Sequence, residues 1–129
     1  QALLNIIKNA TEAVGDGGSV LVESADVGEA VRVTISDNGP GIPEHVMGRI
    51  FEPFFTTKEV GLGTGLGLSI SREVIEHHGG HIRVENQTSS GARFTISLPK
   101  RDSRSVVPRT RTYSEPPGMA RVNDGGYAL

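Results

Sequence analysis

The apolar positions along the chain switch between the three-to-four-residue spacing of helices and the two-residue spacing of strands. A first helix is predicted at the start, because apolar residues there recur on one stripe. That stripe consists of Leu3, Ile7, Ala10 and Val14. The side of the helix away from the stripe carries the amides of Asn5 and Asn9, and Glu12 is assigned to solvent. The helix therefore has a core face and an amide-bearing face.

Four strands, a second long helix and a short one complete the predicted elements. The strands cover residues 19–24, 31–37, 81–85 and 92–98. The long helix runs from Gly65 to Gly79, with Leu66, Ile70 and Val74 at four-residue spacing and Ile75 beside them, and the short one lies within residues 43–50. This order predicts an α+β fold of two layers, with helices on one face of a mostly antiparallel sheet.

Composition divides the chain into one domain, residues 1–99, and a tail or linker, residues 100–129, with no apolar period. The domain carries 7 Lys and Arg against 12 Asp and Glu, and the tail 6 against 3, so the domain has no basic footprint for nucleic acid. Cysteine is absent, which excludes disulfides, and no run approaches the roughly 20 apolar residues of a membrane span. We expect a cytoplasmic segment, truncated at its N-terminus because a helical pattern already runs at Gln1.

Three groups of residues have the chemistry of a nucleotide site. Asn5 and Asn9 lie one helical turn apart, and amide oxygens suit Mg²⁺, although two amides on a solvated face are the simpler interpretation of this pair alone. Asp37 falls on the core side of its strand, where it can accept the amino group of adenine; guanine has a carbonyl there. The glycine-rich residues 61–67 lead into a helix N-terminus, which favours phosphate. The sequence contains neither a P-loop nor a Rossmann fingerprint.

Four motifs in order resemble the boxes of the superfamily of gyrase, heat-shock chaperone, histidine kinase and mismatch-repair ATPases. Residues 5–10 look like its N box, residues 37–42 like its G1 box, residues 51–58 like the kinase F box and residues 63–68 like the G2 box. The closest likeness is to the catalytic domain of a sensor histidine kinase of the nitrogen-regulation class. This resemblance implies the Bergerat fold, with ATP and Mg²⁺ as ligands.

The resemblance also implies roles for individual residues. Asn9 would ligate Mg²⁺ and Asp37 would hold adenine, while Phe51 and Phe54 would anchor a lid. Lys58 would neutralise the γ-phosphate, if it is more than a surface lysine. The further residues that would contact the nucleotide are Asn5, Lys8, Gly39, Gly41, Ile42, Thr57, Gly63, Thr64, Gly65, Leu66 and Gly67.

Asn5 decides between kinase and hydrolase within the superfamily. Hydrolysing members have a Glu at this position to activate water, and an amide cannot act as a general base. The resemblance therefore implies phosphoryl transfer to a histidine on a separate dimerisation domain, followed by transfer to a response regulator. The parent protein is expected to be a homodimer and this fragment a monomer. The alternatives are a non-catalytic, nucleotide-gated interaction module and an ATPase of the same superfamily.

A metal site at His77, His78 and His81 is disfavoured against helix-end packing.

Overall fold

A computed structural model describes residues 1–101, which fold into a four-stranded sheet with helices on one face. The elements are α1 (Ala2–Val14), β1 (Val20–Asp26), β2 (Ala30–Asp37), α2 (Glu44–Met47), α3 (Gly67–His77), β3 (His81–Asn86) and β4 (Ala92–Pro99). The strand order is β1-β2-β4-β3, and every neighbouring pair is antiparallel. The predicted α+β class and two-layer architecture are confirmed, and the four predicted strands agree with the observed ones to within two residues.

The core lies between the sheet and the two long helices. In β2 and β4 every second side chain faces it, and the register sets Ile35 beside Phe94 and Val33 beside Ile96. The alternation predicted for β4 is confirmed, since Ala92, Phe94 and Ile96 are buried. Asp37 also lies on this side of β2 and is only 5% exposed. Asp37 is therefore the one buried carboxylate among the described residues, and it lies at the end of a central strand.

The predicted core stripe of α1 is confirmed at Ala10, which is buried, and in part at Ile7, which packs against the core, but at its start it is shifted by one residue. The buried residues are Ala2, Ile6 and Ala10, whereas Leu3 is 38% exposed and Leu4 is 69% exposed. Small side chains face the neighbouring helix because α1 and α3 pack closely. This shift brings Asn5 and Asn9, predicted on the opposite face, to half-buried positions beside the core face.

In α3 the predicted apolar face is confirmed at Ile75, which is buried, while Ile70 is 45% exposed and Val74 is 39% exposed. Ser71 is buried as well, because α1 and α3 pack closely there. The Ser71 hydroxyl lies within hydrogen-bond distance of two carbonyl oxygens, that of Ala2 on α1 at 3.2 Å and that of Gly67 at 2.7 Å. A larger apolar residue at position 71 would separate the two helices.

Lys100 directly follows the predicted domain, residues 1–99, and still belongs to the fold. The Lys100 amide donates to the carbonyl of Glu29 at 2.8 Å, and its ammonium group pairs with Asp26 at 2.6 Å, so this residue still contacts the sheet. The remainder of the predicted tail, from residue 102 onward, lies outside the described residues. None of the helices within residues 1–101 has the length and apolar character needed to cross a membrane.

Candidate nucleotide-binding site

A cavity of about 760 Å³ opens between α1, the C-terminal end of β2 and the glycine-rich segment before α3. It is lined by most of the residues predicted from sequence. Those residues are Asn5, Lys8, Asn9, Asp37, Gly41, Ile42, Thr57, Lys58, Gly63, Thr64, Gly65 and Gly67. The fold therefore brings three segments that are far apart in sequence to one concave surface.

Asp37 is held at the inner wall of the cavity by backbone donors. Its Oδ1 accepts hydrogen bonds from the amides of Gly39 at 2.9 Å and Ala92 at 3.2 Å. Oδ2 accepts no hydrogen bond from the described residues. Every fully buried polar side-chain atom in this part of the chain has a hydrogen-bond partner, so Oδ2 is not fully buried. Oδ2 is therefore the carboxylate oxygen left to face the cavity. A fixed, buried acceptor of this kind suits an amino group on a flat ring.

The hairpin between β3 and β4 holds the segment that follows Asp37. The side-chain amide of Asn86 accepts from the Ile42 amide at 2.8 Å and donates to the Ile42 carbonyl at 2.7 Å. Gln87 Nε2 donates to the Asp37 carbonyl at 2.8 Å. No role was predicted from the sequence for either of these two residues. The available signal was two amide residues at the end of a strand, next to a glycine-containing turn.

Gly91 closes against the same wall and was also missed. Its φ is 85°, and a Cβ at this position would lie 1.8 Å from the Asp37 carbonyl oxygen. Only glycine therefore allows β4 to begin this close to the end of β2. Gly39 does not line the cavity, but its amide fixes the Asp37 carboxylate, so it shapes the wall from behind.

The two predicted asparagines lie side by side on α1 at the other end of the cavity. Asn5 Nδ2 lies 3.5 Å from the Gly67 carbonyl, at the outer limit of a hydrogen bond, and this contact turns the amide toward the start of α3. Asn9 makes no side-chain hydrogen bond among the described residues and lines the cavity. Its carbonyl oxygen is thus available as a hard ligand. Within residues 1–101, no group of three His, Cys, Asp or Glu residues could hold a metal by itself.

The N-terminus of α3 faces the cavity through Gly67. Leu66 occupies the N-cap position and supplies no side-chain cap, so the amides of the first turn have no acceptor within the helix. Leu66 itself is half-buried and does not line the cavity. The preceding Gly65 has a φ of 67°, and a Cβ there would lie 2.4 Å from the backbone of Phe54. The backbone amides of the first turn of α3 are a favourable location for a phosphate.

Two lysines and one carboxylate stand at the mouth of the cavity. The Lys58 ammonium group forms an ion pair with the Glu12 carboxylate, and Lys8 lies 3.9 Å from the same side chain. The hydrogen bond from Lys58 is the main reason that the pKa of Glu12 is lowered from its ordinary value. Glu12 is exposed, as predicted from the sequence, and it also joins α1 to the segment that carries Lys58, 46 residues away.

The phenylalanines of residues 51–58 differ in position. Phe51 packs against the core, with its ring 5.5 Å from the Arg72 guanidinium carbon, but it does not line the cavity. Phe54, the other residue predicted as an anchor, is 75% exposed, has a φ of 66° and does not pack against the core. Phe55, by contrast, both packs against the core and lines the cavity. The unusual backbone of Phe54 turns its side chain outward and the next one inward.

The chain is similar to many known proteins. A family model described as "Histidine kinase-, DNA gyrase B-, and HSP90-like ATPase" matches residues 1–102. Sporulation kinase A of Bacillus subtilis (strain 168) is 48% identical over 101 residues, which are 78% of this chain and 16% of that protein. Sensor histidine kinase ZraS of Escherichia coli (strain K12) is 41% identical over 99 residues, 77% of this chain and 21% of that protein. The chain thus spans about a fifth of these relatives or less.

Solved structures show the same arrangement of helices and strands. The catalytic domain of histidine kinase ThkA in a nucleotide-free form matches with a TM-score of 0.70 at 48% identity, over 78% of this chain and 64% of that one. Full-length ShkA in complex with AMPPNP matches with a TM-score of 0.65 at 35% identity, over 76% and 20% of the two chains. ThkA in complex with the response regulator protein TrrA matches with a TM-score of 0.66 at 42% identity, over 78% and 28%.

Proposed function

We propose a function from the premise that the chain belongs to the family of histidine kinase-, DNA gyrase B- and HSP90-like ATPases. Its cavity binds ATP with Mg²⁺. The γ-phosphoryl group of this ATP is then transferred to a histidine on a dimerisation domain. The histidine kinases among its relatives favour this branch of the family. The phosphorylated histidine would in turn supply a response regulator, the class of partner seen with ThkA.

The geometry of Asp37 is the observation that carries the nucleotide assignment. Its Oδ1 is occupied by two backbone amides, so Oδ2 can accept a hydrogen bond without any loss of internal structure. Adenine would donate its amino group to this oxygen, while the Gly41 and Ile42 segment, held by Asn86, would cover one face of the ring. The adenine end of the cavity is thus preorganised, which reduces the entropy lost on binding.

The other end of the cavity has the groups that a triphosphate requires. The uncapped amides at the start of α3 and the ammonium groups of Lys8 and Lys58 favour negative charge. The donor set also fits Mg²⁺, because Asn9 offers an amide oxygen that no described residue occupies, and Mg²⁺ takes its other ligands from phosphates and water. When bound, the metal would neutralise charge on the β- and γ-phosphates.

Transfer rather than hydrolysis is favoured by Asn5. The residue lies beside the start of α3, where the terminal phosphate would lie, and its amide cannot remove a proton from water. Lys58 would leave Glu12 and approach the γ-phosphate, where it would stabilise charge during transfer. These residues position and neutralise the phosphates; the acceptor histidine and its proton-accepting group would come from the dimerisation domain.

The test is a transfer reaction with radiolabelled ATP, this chain and a dimerisation domain that carries an acceptor histidine. We expect an acid-labile, base-stable phosphoryl group on the dimerisation domain, and none on a version that lacks the histidine. An Asn5→Glu variant should release more inorganic phosphate than Asn5→Gln, because only the first restores a base. Normal ATP binding with release of inorganic phosphate alone would refute the kinase proposal in favour of an ATPase. ATP binding with neither product would indicate a nucleotide-gated interaction module.

A further inference from the structure

The basic residues of the domain fall into three groups by position. Lys8 and Lys58 stand at the mouth of the nucleotide cavity. Arg49 pairs with Glu52 at 3.0 Å, and Arg72 pairs with Glu76 at 2.7 Å, each within its own segment. The remaining three of the 7 Lys and Arg in residues 1–99 lie on the open face of the sheet, opposite the helices. A domain with an excess of acidic residues therefore concentrates its other positive charge on one surface.

This surface, here called the arginine face, is a shallow depression of about 320 Å³ over β2, β4 and β3. The strand register arranges its side chains in three rows, and each row contains one arginine from a different strand. The rows are Arg32–Ser97–His81, Thr34–Thr95–Arg83 and Ser36–Arg93–Glu85. Since alternate residues of a strand are about 6.8 Å apart, positive charge recurs at that interval along the face. Half-buried Thr and Ser hydroxyls form most of the floor between the arginines.

The three arginines differ in how far the fold already uses them. Arg93 is fixed, because Nε donates to the Ser36 hydroxyl at 3.0 Å and a terminal nitrogen donates to Gln87 Oε1 at 2.9 Å. Arg32 and Arg83 are exposed, and neither has an ion pair or side-chain hydrogen bond within residues 1–101. These two guanidinium groups flank the hydroxyl floor from opposite sides and are available to a ligand.

The positive charge of the arginine face and the spacing of its rows together indicate which kind of ligand binds there. The chain's own residues 100–129 carry 6 Lys and Arg against 3 Asp and Glu, so the tail has the wrong sign to cover this face. Nucleic acid is disfavoured because every nucleotide adds a phosphate charge, whereas this face offers only two arginines without a partner within residues 1–101 and also carries Glu85. An extended peptide presents alternate side chains at the same interval of about 6.8 Å as the rows.

We infer that the arginine face binds an extended acidic peptide segment of a partner protein, with carboxylates at alternate positions. The segment would lie along β4, with its carboxylates paired to Arg32 on one side and Arg83 on the other. Bidentate pairing of guanidinium with carboxylate would orient it, and the Thr34, Thr95 and Ser97 hydroxyls would donate to carboxylate oxygens that remain. The site is separate from the nucleotide cavity, since no residue lines both.

The experiment is an NMR titration of the chain with a ten-residue peptide of alternating Glu and Ser. We expect saturable shift changes in the amides of β2, β3 and β4 on the arginine face, weakening as salt is raised. The double variant Arg32→Gln/Arg83→Gln should weaken binding at least fivefold. Arg49→Gln/Arg72→Gln is the matched control, because it removes the same charge from side chains outside this face and should leave the affinity within twofold.

Three results would overturn the inference: no saturable shifts, equal weakening by the two double variants, or tighter binding of a ten-nucleotide oligothymidylate to the same face. ATP binding is measured in parallel with all variants. Because the arginines lie outside the nucleotide cavity, loss of peptide binding should leave ATP affinity unchanged. Failure of the acidic-peptide assignment is thus distinguishable from failure of the proposed kinase function.

Discussion

Replacement of Asp37 by Asn changes one atom at the point that we assign to adenine. The two oxygens of the carboxylate have different environments, because Oδ1 accepts from the amides of Gly39 and Ala92 and Oδ2 faces the cavity. The Asn oxygen must take the Oδ1 position, since the reverse orientation would set its NH₂ group against two backbone N–H groups. An N–H donor then faces the cavity where an acceptor stood. The substitution therefore preserves the wall but reverses the polarity presented to the ring.

The expected loss follows from the hydrogen bond that disappears. A hydrogen bond to a charged acceptor contributes about 1.5–3 kcal/mol, which corresponds to roughly 10- to 150-fold in affinity. ATP and adenosine should both lose this amount, whereas tripolyphosphate should lose less than about twofold. The preference for ATP over GTP should also narrow, because guanine offers a carbonyl oxygen to the new N–H group.

Isothermal titration of the wild-type chain and Asp37→Asn with these four ligands measures the effect directly. Thermal unfolding serves as the control for the fold, and the two chains should melt within a few degrees of each other. Asp37→Ala is the contrasting variant: it leaves the Gly39 and Ala92 amides without their acceptor and should lower the melting temperature as well. Equal losses for ATP and tripolyphosphate in Asp37→Asn would refute the adenine assignment.

Three further outcomes test other parts of the site. Asn9→Ala should abolish the increase in ATP affinity on adding Mg²⁺ while metal-free affinity stays unchanged; retention of the Mg²⁺ effect in titrations would contradict the ligand role. Gly91→Ala should destabilise the domain by more than about 1–3 kcal/mol in urea unfolding, because a positive φ is combined with an overlap on the Asp37 carbonyl. For the pair of Glu12 and Lys58, the depressed pKa of Glu12 means that the contact is complete above the ordinary value of 4.5 and is lost as the pH falls through the lowered one. NMR shifts of the amides of residues 56–58 should follow that loss and should not titrate there in Glu12→Gln.

Local pattern was sufficient to predict the strands and the position of Asp37. Period-two alternation in β2 and β4 placed Ile35, Phe94 and Asp37 on the core side, and all three are buried. The pattern could not fully define the helix faces, because Ala2 and Ser71 are buried for their small size where two helices meet. A search for large apolar residues therefore selected Leu3 and Ile70, which lie on the outer flank.

Long-range contacts of the site were beyond the sequence for a different reason. Each motif is a short run of neighbouring residues, so residues such as Asn9 and Gly65 could be predicted from the sequence, and both line the cavity. Glu12 meets Lys58 only through the fold, and the side chain of Asn86 reaches Ile42 across 44 residues. Nothing in the spacing of these residues indicates their partners.

The two ends of the cavity are held by different kinds of contact, and this difference suggests how they would respond to substitution. The adenine end is fixed by hydrogen bonds to Asp37 and Ile42 from β3, β4 and the hairpin between them. Gln87 also links this end to Arg93 on the open face of the sheet. The phosphate end is joined to α1 mainly through the exposed pair of Lys58 and Glu12, a type of contact that contributes little to stability. Nucleotide phosphates can therefore displace it at small cost. Substitutions at the adenine end should alter affinity for every adenine nucleotide, and substitutions at the phosphate end should alter transfer more than binding.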